Sequence, residues 1–393
     1  MTATTDTADV IVIGAGVHGA SLAFHLAERG TRVIVVERSG VAAGATGRSS
    51  GLVRMHYDLL AETRLAWAAF PYFLEWSDRV GAGDCSFVKT GFLWLEGPEA
   101  ADRLRANVAA HQALGIPKSI VDADEIRRLA PSLVVADDEL AAYEPESGYA
   151  DPSATAAGLM EAARARGAIL VRGAEVTAIP VSGGRVTGVE TTKGSFAAPV
   201  VVNAAGGWAG HVAALVGLDI PVSVWRHDTG YLGVPDALPR PLPVVIDHPN
   251  AQYFRPEGAG LALVGLEDEN ILGGDPDRDT ADAEPGFDER VTERVIRRVP
   301  GFADGTFQSA HSGQDGLTPD QRAIIGAAGP DGFYLNCGHS GTGFKTAPAI
   351  GLGMAELILD GATRSVDLSP FRLERFAEGQ LLEGEHGGML LWR

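Results

Sequence analysis

The sequence predicts an α/β protein, α+β overall, in which a βαβ-based unit is joined to a second unit with a large mixed or antiparallel sheet. Three observations predict this. Val10 to Ile13 is a β-branched run that leads through Gly14-Ala-Gly16-Val-His-Gly19 into a helical stretch and a second β-branched run, Val33 to Val36. The same strand-then-glycine grammar returns at Val200 to Asn203 and at Gly332 to Asn336. Between Ile220 and Gly273 the pattern changes to short strands broken by prolines, as expected of an antiparallel sheet.

The elements follow in order. Val10 to Ile13 has no polar face and reads as a strand buried on both sides. Leu22, Leu26 and Ala27 share one side of the helix that follows, and Gly30 ends it. Val33 to Val36 is a second buried strand closing on Glu37. A glycine-rich loop, Gly44 to Gly51, leads to a helical region at Leu59 to Trp76. Phe87 to Leu95 reads as a strand, Glu99 to Leu114 as a helix, and Asp122 to Leu129 as a short capped helix stopped by Pro131. Ala154 to Arg166 is an alanine-rich helix ended by Gly167, and Ala168 to Arg172 the strand after it. Ser182-Gly183-Gly184 marks a hairpin turn. Asp275 to Glu289 reads as an acidic loop, Glu289 to Val299 as a helix, and about Phe344 to Leu359 as the last long helix. The α/β pieces stand at both ends and in the middle, so the domains are expected to be discontinuous.

Length and composition bound the function. At 393 residues the chain is long enough for two domains, and 45% hydrophobic against 21% charged residues marks a globular protein with a sizeable core. The 32 Lys and Arg against 51 Asp and Glu give a net charge of −19, which repels phosphate backbones and anionic lipid; neither nucleic acid nor a membrane is expected as a partner. Cys85 and Cys337 are too few for a disulfide framework or a cysteine-built metal site, and no metal is expected. The polar opening, Met1 to Val10, lacks a secretory pattern, and a cytoplasmic location is expected.

Gly14, Gly16 and Gly19 stand in G-x-G-x-x-G spacing between a strand and a helix, with an acid at the end of the next strand. That is the pattern of a dinucleotide site. The first glycine allows the tight turn, and the second lets a pyrophosphate reach the helix N-terminus. The third lets helix and strand pack, while Glu37 can accept from a ribose 2′-OH. The fingerprint alone does not separate NAD from FAD. Two other glycine motifs are decoys. Gly47-Arg-Ser49-Ser-Gly51 fits a hydrolase elbow but lacks the strand that must run into its serine. Gly338 to Thr346 nearly spells a P-loop, but Phe344 displaces the lysine.

Three further motifs carry a resemblance: Gly44-Ala-Thr-Gly47-Arg48-Ser49-Ser50-Gly51-Leu52-Val53-Arg54, then Asn203-Ala-Ala-Gly206-Gly207-Trp208, then Thr318-Pro-Asp320 with Gly338-His-Ser-Gly341-Thr-Gly343-Phe344-Lys345. Together, over nearly the whole length, they resemble the FAD-dependent glycine oxidase/D-amino acid oxidase family, in particular its sarcosine-oxidase-like branch. The resemblance implies a discontinuous Rossmann-like FAD-binding domain at 1–85, 150–218 and 313–393, and a substrate domain at 86–149 and 219–312. It implies cofactor contacts from Gly14, Gly16, Gly19, Glu37, Arg38 and Arg48, and from Ser49, Ser50, Gly51 and Leu52 in the second loop. Val176 is expected beside the adenine. Ala205, Gly206 and Trp208 follow the central strand, and Gly341, Thr342, Gly343, Phe344 and Lys345 form the loop under the flavin. A helix N-terminus there would stabilise the charge of a reduced flavin.

The same resemblance implies the chemistry: oxidation of the C–N bond of a small carboxylate-bearing amine by hydride transfer to flavin N5, giving an imine that hydrolyses. The substrate is expected to be a sarcosine-like N-methyl or cyclic secondary amino acid. Arg54 and Lys345, one of only four lysines, are expected to hold its carboxylate. Tyr253 is expected to face it, and His56, His227 and above all His339 are candidate ring-side groups. Ser309 to Leu317 holds no cysteine for a covalent bond, so one non-covalent FAD is expected. Gly260 to Gly265 lacks the family's oxygen-activating lysine, so either O2 or another electron acceptor remains open. A D-amino acid or hydroxy acid substrate stays as an alternative, as does an FAD-bearing subunit of an electron-transferring complex, or a homo-oligomer.

Overall fold

The computed structural model describes residues 6–267, 271–277 and 282–386. Six strands form one sheet in the order Ile169–Arg172, Val33–Glu37, Val10–Ile13, Val200–Asn203, Phe333–Cys337 and Ile324–Ala327. The first five are parallel, with Val10 opposite both Val33 and Val200, and only Ile324–Ala327 runs the other way. Val10–Ile13 and Val33–Val36 are buried throughout, as their unbroken apolar runs require of a sheet covered on both faces. The helices Val17–Glu28, Pro152–Ala165 and Gly343–Asp360 pack together on that sheet. The chain therefore returns to this layer three times.

The second layer is a mixed sheet of nine strands. Ser223–Gly233 pairs antiparallel with Phe307–Leu317 on one side and with Leu261–Leu266 on the other. Gln252–Glu257 and Val244–Asp247 continue it, and Val244–Asp247 then runs parallel to Phe92–Glu96. A three-stranded sheet, Leu52–Val53 with Gly148–Tyr149 and Val88–Lys89, bridges the two layers.

Two departures from the sequence reading have clear causes. The strand expected over Phe87 to Leu95 is split into Val88–Lys89 and Phe92–Glu96, because Gly91 turns at φ +76° against the Tyr143 ring. Phe307–Leu317 was not expected as a strand. Its glycines and polar residues have low strand propensity, and its long pairing with Ser223–Gly233 overrides that preference. A domain boundary at 312/313 thus falls inside an unbroken strand. The acidic loop expected at 275–289 and the segments 1–5 and 387–393 lie wholly or partly outside the described residues. Among the described residues, no helix is long and apolar enough to cross a membrane.

Candidate functional site

A cavity of about 390 Å³ opens at the carboxyl ends of the parallel strands, where Val10–Ile13 lies between Val33–Glu37 and Val200–Asn203. The strand order reverses there, with the next strand in the chain on one side of Val10–Ile13 and a much later one on the other, and such a crevice is the usual ligand site of an open α/β sheet. Gly14 makes the turn at φ +102°, and a Cβ on it would lie 2.5 Å from the Ala204 carbonyl oxygen. A Cβ on Gly19 would lie 2.0 Å from the Gly14 carbonyl oxygen, so this third glycine serves packing and does not line the cavity. Gly16 precedes the helix Val17–Glu28 without any side-chain cap, while Thr46 Oγ1 accepts the Val17 N–H at 3.0 Å. Glu37 takes the Ala15 N–H at 2.8 Å and the Ser39 N–H at 2.6 Å, one on each carboxylate oxygen, and lines the cavity.

Most of the expected cofactor residues meet at this wall. Gly14, Gly16, Arg38, Arg48, Ser49 and Ser50 line it from one side, and Val176, Ala205, Gly206 and Trp208 from another. Gly341, Gly343 and Phe344 bring in the start of the helix Gly343–Asp360, so two helix N-termini open onto one space. Arg38 stacks over Trp208, its Cζ 4.5 Å from the ring, and both side chains bond Asp277 Oδ1. Gly51, Leu52 and Thr342 do not reach the cavity. Gly51 turns at φ +68° against the Ala150 carbonyl, Leu52 packs with Phe92 and Trp94, and Thr342 Oγ1 bonds the His339 carbonyl and Glu62.

Tyr253 and His227 line the same cavity, with the hydroxyl 2.8 Å from His227 Nε2. Burial pushes the Tyr253 phenol up to about 12. Its ring lies across Gly265, the residue opposite it on the neighbouring strand, and fills the place of any side chain there. His339 also lines the cavity, with Nε2 3.1 Å from Asn336 Oδ1, and burial pushes its imidazole down to about 3.

Arg54 and Lys345 lie outside that wall, in a second buried cluster. Both sit against Tyr57, with the Arg54 Cζ 4.5 Å and the Lys345 Nζ 5.4 Å from its ring centroid. Tyr57 in turn donates to the Thr342 carbonyl at 3.4 Å, inside the loop that walls the cavity. Lys345 is 6% exposed. Burial, and next the repulsion of Arg54, hold its ammonium well below the usual lysine range, with Glu62 and Glu144 pulling the other way.

Three residues that the sequence reading missed belong to this region. His18, inside the glycine fingerprint itself, lines the cavity and stacks on His339 with ring centroids 3.4 Å apart; neither of its ring nitrogens has a hydrogen-bond partner of normal geometry. Asp315, half-buried at the cavity wall and raised in pKa by desolvation, accepts the Gly316 and Gly341 N–H groups and ties two glycine loops together. Its signal was an acid among glycines just ahead of Thr318-Pro-Asp320. Lys118 lies behind Arg54, and its signal was the scarcity of lysine.

Comparison with known proteins fixes the class of this arrangement. The family described as FAD dependent oxidoreductase (DAO) matches residues 9–357. The chain belongs to that family. L-proline dehydrogenase from P. horikoshii has a similar structure, with a TM-score of 0.89 at 26% identity, covering 96% of this chain and all of that one. Glycine oxidase from Geobacillus kaustophilus gives 0.83 at 26% identity, covering 94% and 99%. Mitochondrial sarcosine dehydrogenase from Homo sapiens is 29% identical over 389 residues. That alignment covers 94% of this DAO-family chain but 41% of the relative, so the chain spans less than half of that protein's length.

The family is FAD dependent, and the cavity has the chemistry such a group requires. A glycine turn without side chains leads into one helix start, a second helix start faces the same space, and a carboxylate ends the second strand. The unpartnered nitrogens of buried His18 offer hydrogen-bonding capacity that the protein itself does not use.

Proposed function

We propose that this chain holds FAD non-covalently in the cavity and oxidises the C–N bond of a small carboxylate-bearing amine, a sarcosine-like N-methyl or cyclic secondary amino acid. The observation that carries this reading is the meeting of two buried basic side chains, Arg54 and Lys345, over Tyr57 next to the Gly341–Phe344 loop. Gly14, Gly16 and Glu37 would hold the pyrophosphate and ribose, Val176 and the Arg38–Trp208 stack the adenine end, and Gly341, Gly343 and Phe344 the ring end. Bound FAD would supply the two-electron acceptor for the substrate's carbon–nitrogen bond.

The chain's own residues then have three tasks. Arg54 and Lys345 take the carboxylate and so fix the α-carbon relative to the cavity, the positioning on which such a reaction depends. Their positive field disfavours an ammonium beside them, so the amine binds neutral and no strong general base is needed. Tyr253 and His339, both kept neutral by burial, supply uncharged polar edges around the reacting atoms, with His227 hydrogen-bonded to Tyr253 beside them, and leave the carboxylate as the bound anion. Hydrolysis of the imine then needs only water.

The electron acceptor is the second question. The Tyr253 ring lies over Gly265, on the strand where the resemblance expects an oxygen-activating lysine. This favours an acceptor other than O2, including a partner protein. Anaerobic titration with N-methyl, cyclic, D-amino and hydroxy acids, followed by flavin absorbance, tests the substrate class. Bleaching by the N-methyl or cyclic acids is expected, and an unchanged oxidised spectrum across the panel would remove the reading. Fast anaerobic reduction with little peroxide formed in air is the expected sign of the alternative acceptor.

A further inference from the structure

Behind Arg54 lies a polar cluster cut off from solvent. The Lys118 Nζ has three close partners: an ion pair with Glu144 Oε1 at 2.7 Å, and His111 Nδ1 at 2.8 Å and His56 Nδ1 at 3.2 Å within hydrogen-bond distance. Burial lowers the lysine's pKa and Glu144 pulls it back up. Glu144 is fixed in turn by the Ser147 hydroxyl at 2.6 Å and the Met55 N–H at 2.9 Å. An imidazole that accepts from an ammonium at Nδ1 carries no proton there. With Lys118 held as an ammonium by Glu144, the tautomer that fits both histidines is the neutral one with the proton on Nε2. His111 passes that proton's hydrogen bond to Thr63 Oγ1, 3.1 Å away.

His56 does not. Its Nε2 has no partner among the described residues, although the residue is 2% exposed. The ring stacks on Trp94 at 4.7 Å, and the Arg54 guanidinium lies 5.1 Å from the same indole while donating to the His56 carbonyl. That N–H is thus not spent on the described residues, and it is not shut away as a fully buried orphan would be; its ring and the arginine share the Trp94 indole. A carboxylate has about four lone-pair sites. A two-pronged arginine and a lysine fill three, which leaves one for a neutral donor that adds no third positive charge.

We propose that His56 donates its Nε2–H to the substrate carboxylate beside Arg54, and that Lys118 is a positioning residue that holds His56 in this tautomer. The inference rests on the reading of Arg54 as the carboxylate anchor. The groups facing His56 are Lys118, His111, Arg54 and His248. Its burial comes first and their charges second in keeping the imidazole well below the usual histidine range.

The test uses the FAD-loaded enzyme with 15N-labelled histidine, and acetate as the probe. Ring 15N shifts are expected to show His56 and His111 as neutral Nε2–H tautomers at all pH values from roughly 5 to 8. In Lys118→Met the His56 imidazole is expected to titrate or to mix tautomers. Because the first measurement uses the unmodified enzyme, it stands even if that variant does not fold. Acetate affinity, read from the flavin spectrum, should fall about tenfold in His56→Leu. It should recover in His56→Gln, whose Nε2 keeps the donor. A proton on His56 Nδ1 in the wild type, or equal acetate binding by wild type and His56→Leu, overturns the inference. Failure of acetate to bind the wild type at all overturns the carboxylate reading itself.

Discussion

Arg54 and Lys345 share one aromatic ring yet differ in what they lend to a bound anion. The guanidinium is permanently charged, so Arg54→Ala should raise KM by about 30-fold or more, the ~2–5 kcal/mol of a buried charged hydrogen bond. Lys345 is different, because burial and Arg54 lower its pKa when no carboxylate is present. A bound carboxylate restores the charged form. Binding should therefore take up a proton wherever the free amine is deprotonated, and the affinity for acetate should fall as pH rises through the lysine's lowered pKa. Calorimetry in buffers of different ionisation enthalpy checks the proton count. Both residues were singled out by their motifs, as were Tyr253 and His339; the last two line the cavity and the first two stand behind its wall. His18, Asp315 and Lys118 were not, because their meaning comes from neighbours far apart in the chain: Lys118 meets Glu144 and His56, and Asp315 meets Gly341.

At the level of elements, the strands buried on both faces announced themselves and the irregular ones did not. Val10–Ile13 is a continuous β-branched run, and Val33–Glu37 and Val200–Asn203 are such runs up to their last residue, so their type and place could be read directly. Phe307–Leu317 could not, since its eleven residues owe their conformation to a partner strand distant in sequence. Gly51 links element to site. It turns at φ +68° with Cβ space only 2.2 Å from the Ala150 carbonyl, where the Gly44–Gly51 loop crosses the start of the helix Pro152–Ala165. Gly51→Ala should cost at least about 1–3 kcal/mol in backbone strain, visible as a lower Tm. FAD retention should weaken with it, because Ser49 and Ser50 move with the loop.

Across the whole molecule, buried ion pairs tie separate segments together. Arg298 holds Glu139 and Asp247 through paired hydrogen bonds of 2.7–2.9 Å, all three side chains buried. Arg298→Leu leaves two carboxylates without their partner and should cost about 3–5 kcal/mol by thermal or urea unfolding. Burial raises the Glu139 pKa, but the hydrogen bonds and charge of Arg298 outweigh it and leave the group below the usual carboxylate range. Its contribution is therefore complete above the ordinary glutamate pKa and is lost as pH falls through the lowered one. Acid unfolding of the wild type should show this loss, and Arg298→Leu should not. None of these long-range pairs had a sequence signature, whereas the two-layer plan did, because it repeats the same local grammar at three points along the chain.

That plan also sets when the protein can first become useful. The walls of the cavity run from Ile13 to Phe344, so the site cannot close until residues more than three hundred positions apart have both left the ribosome. Loading of the prosthetic group must then wait for Phe344, and a product truncated before the final long helix can acquire neither colour nor catalysis.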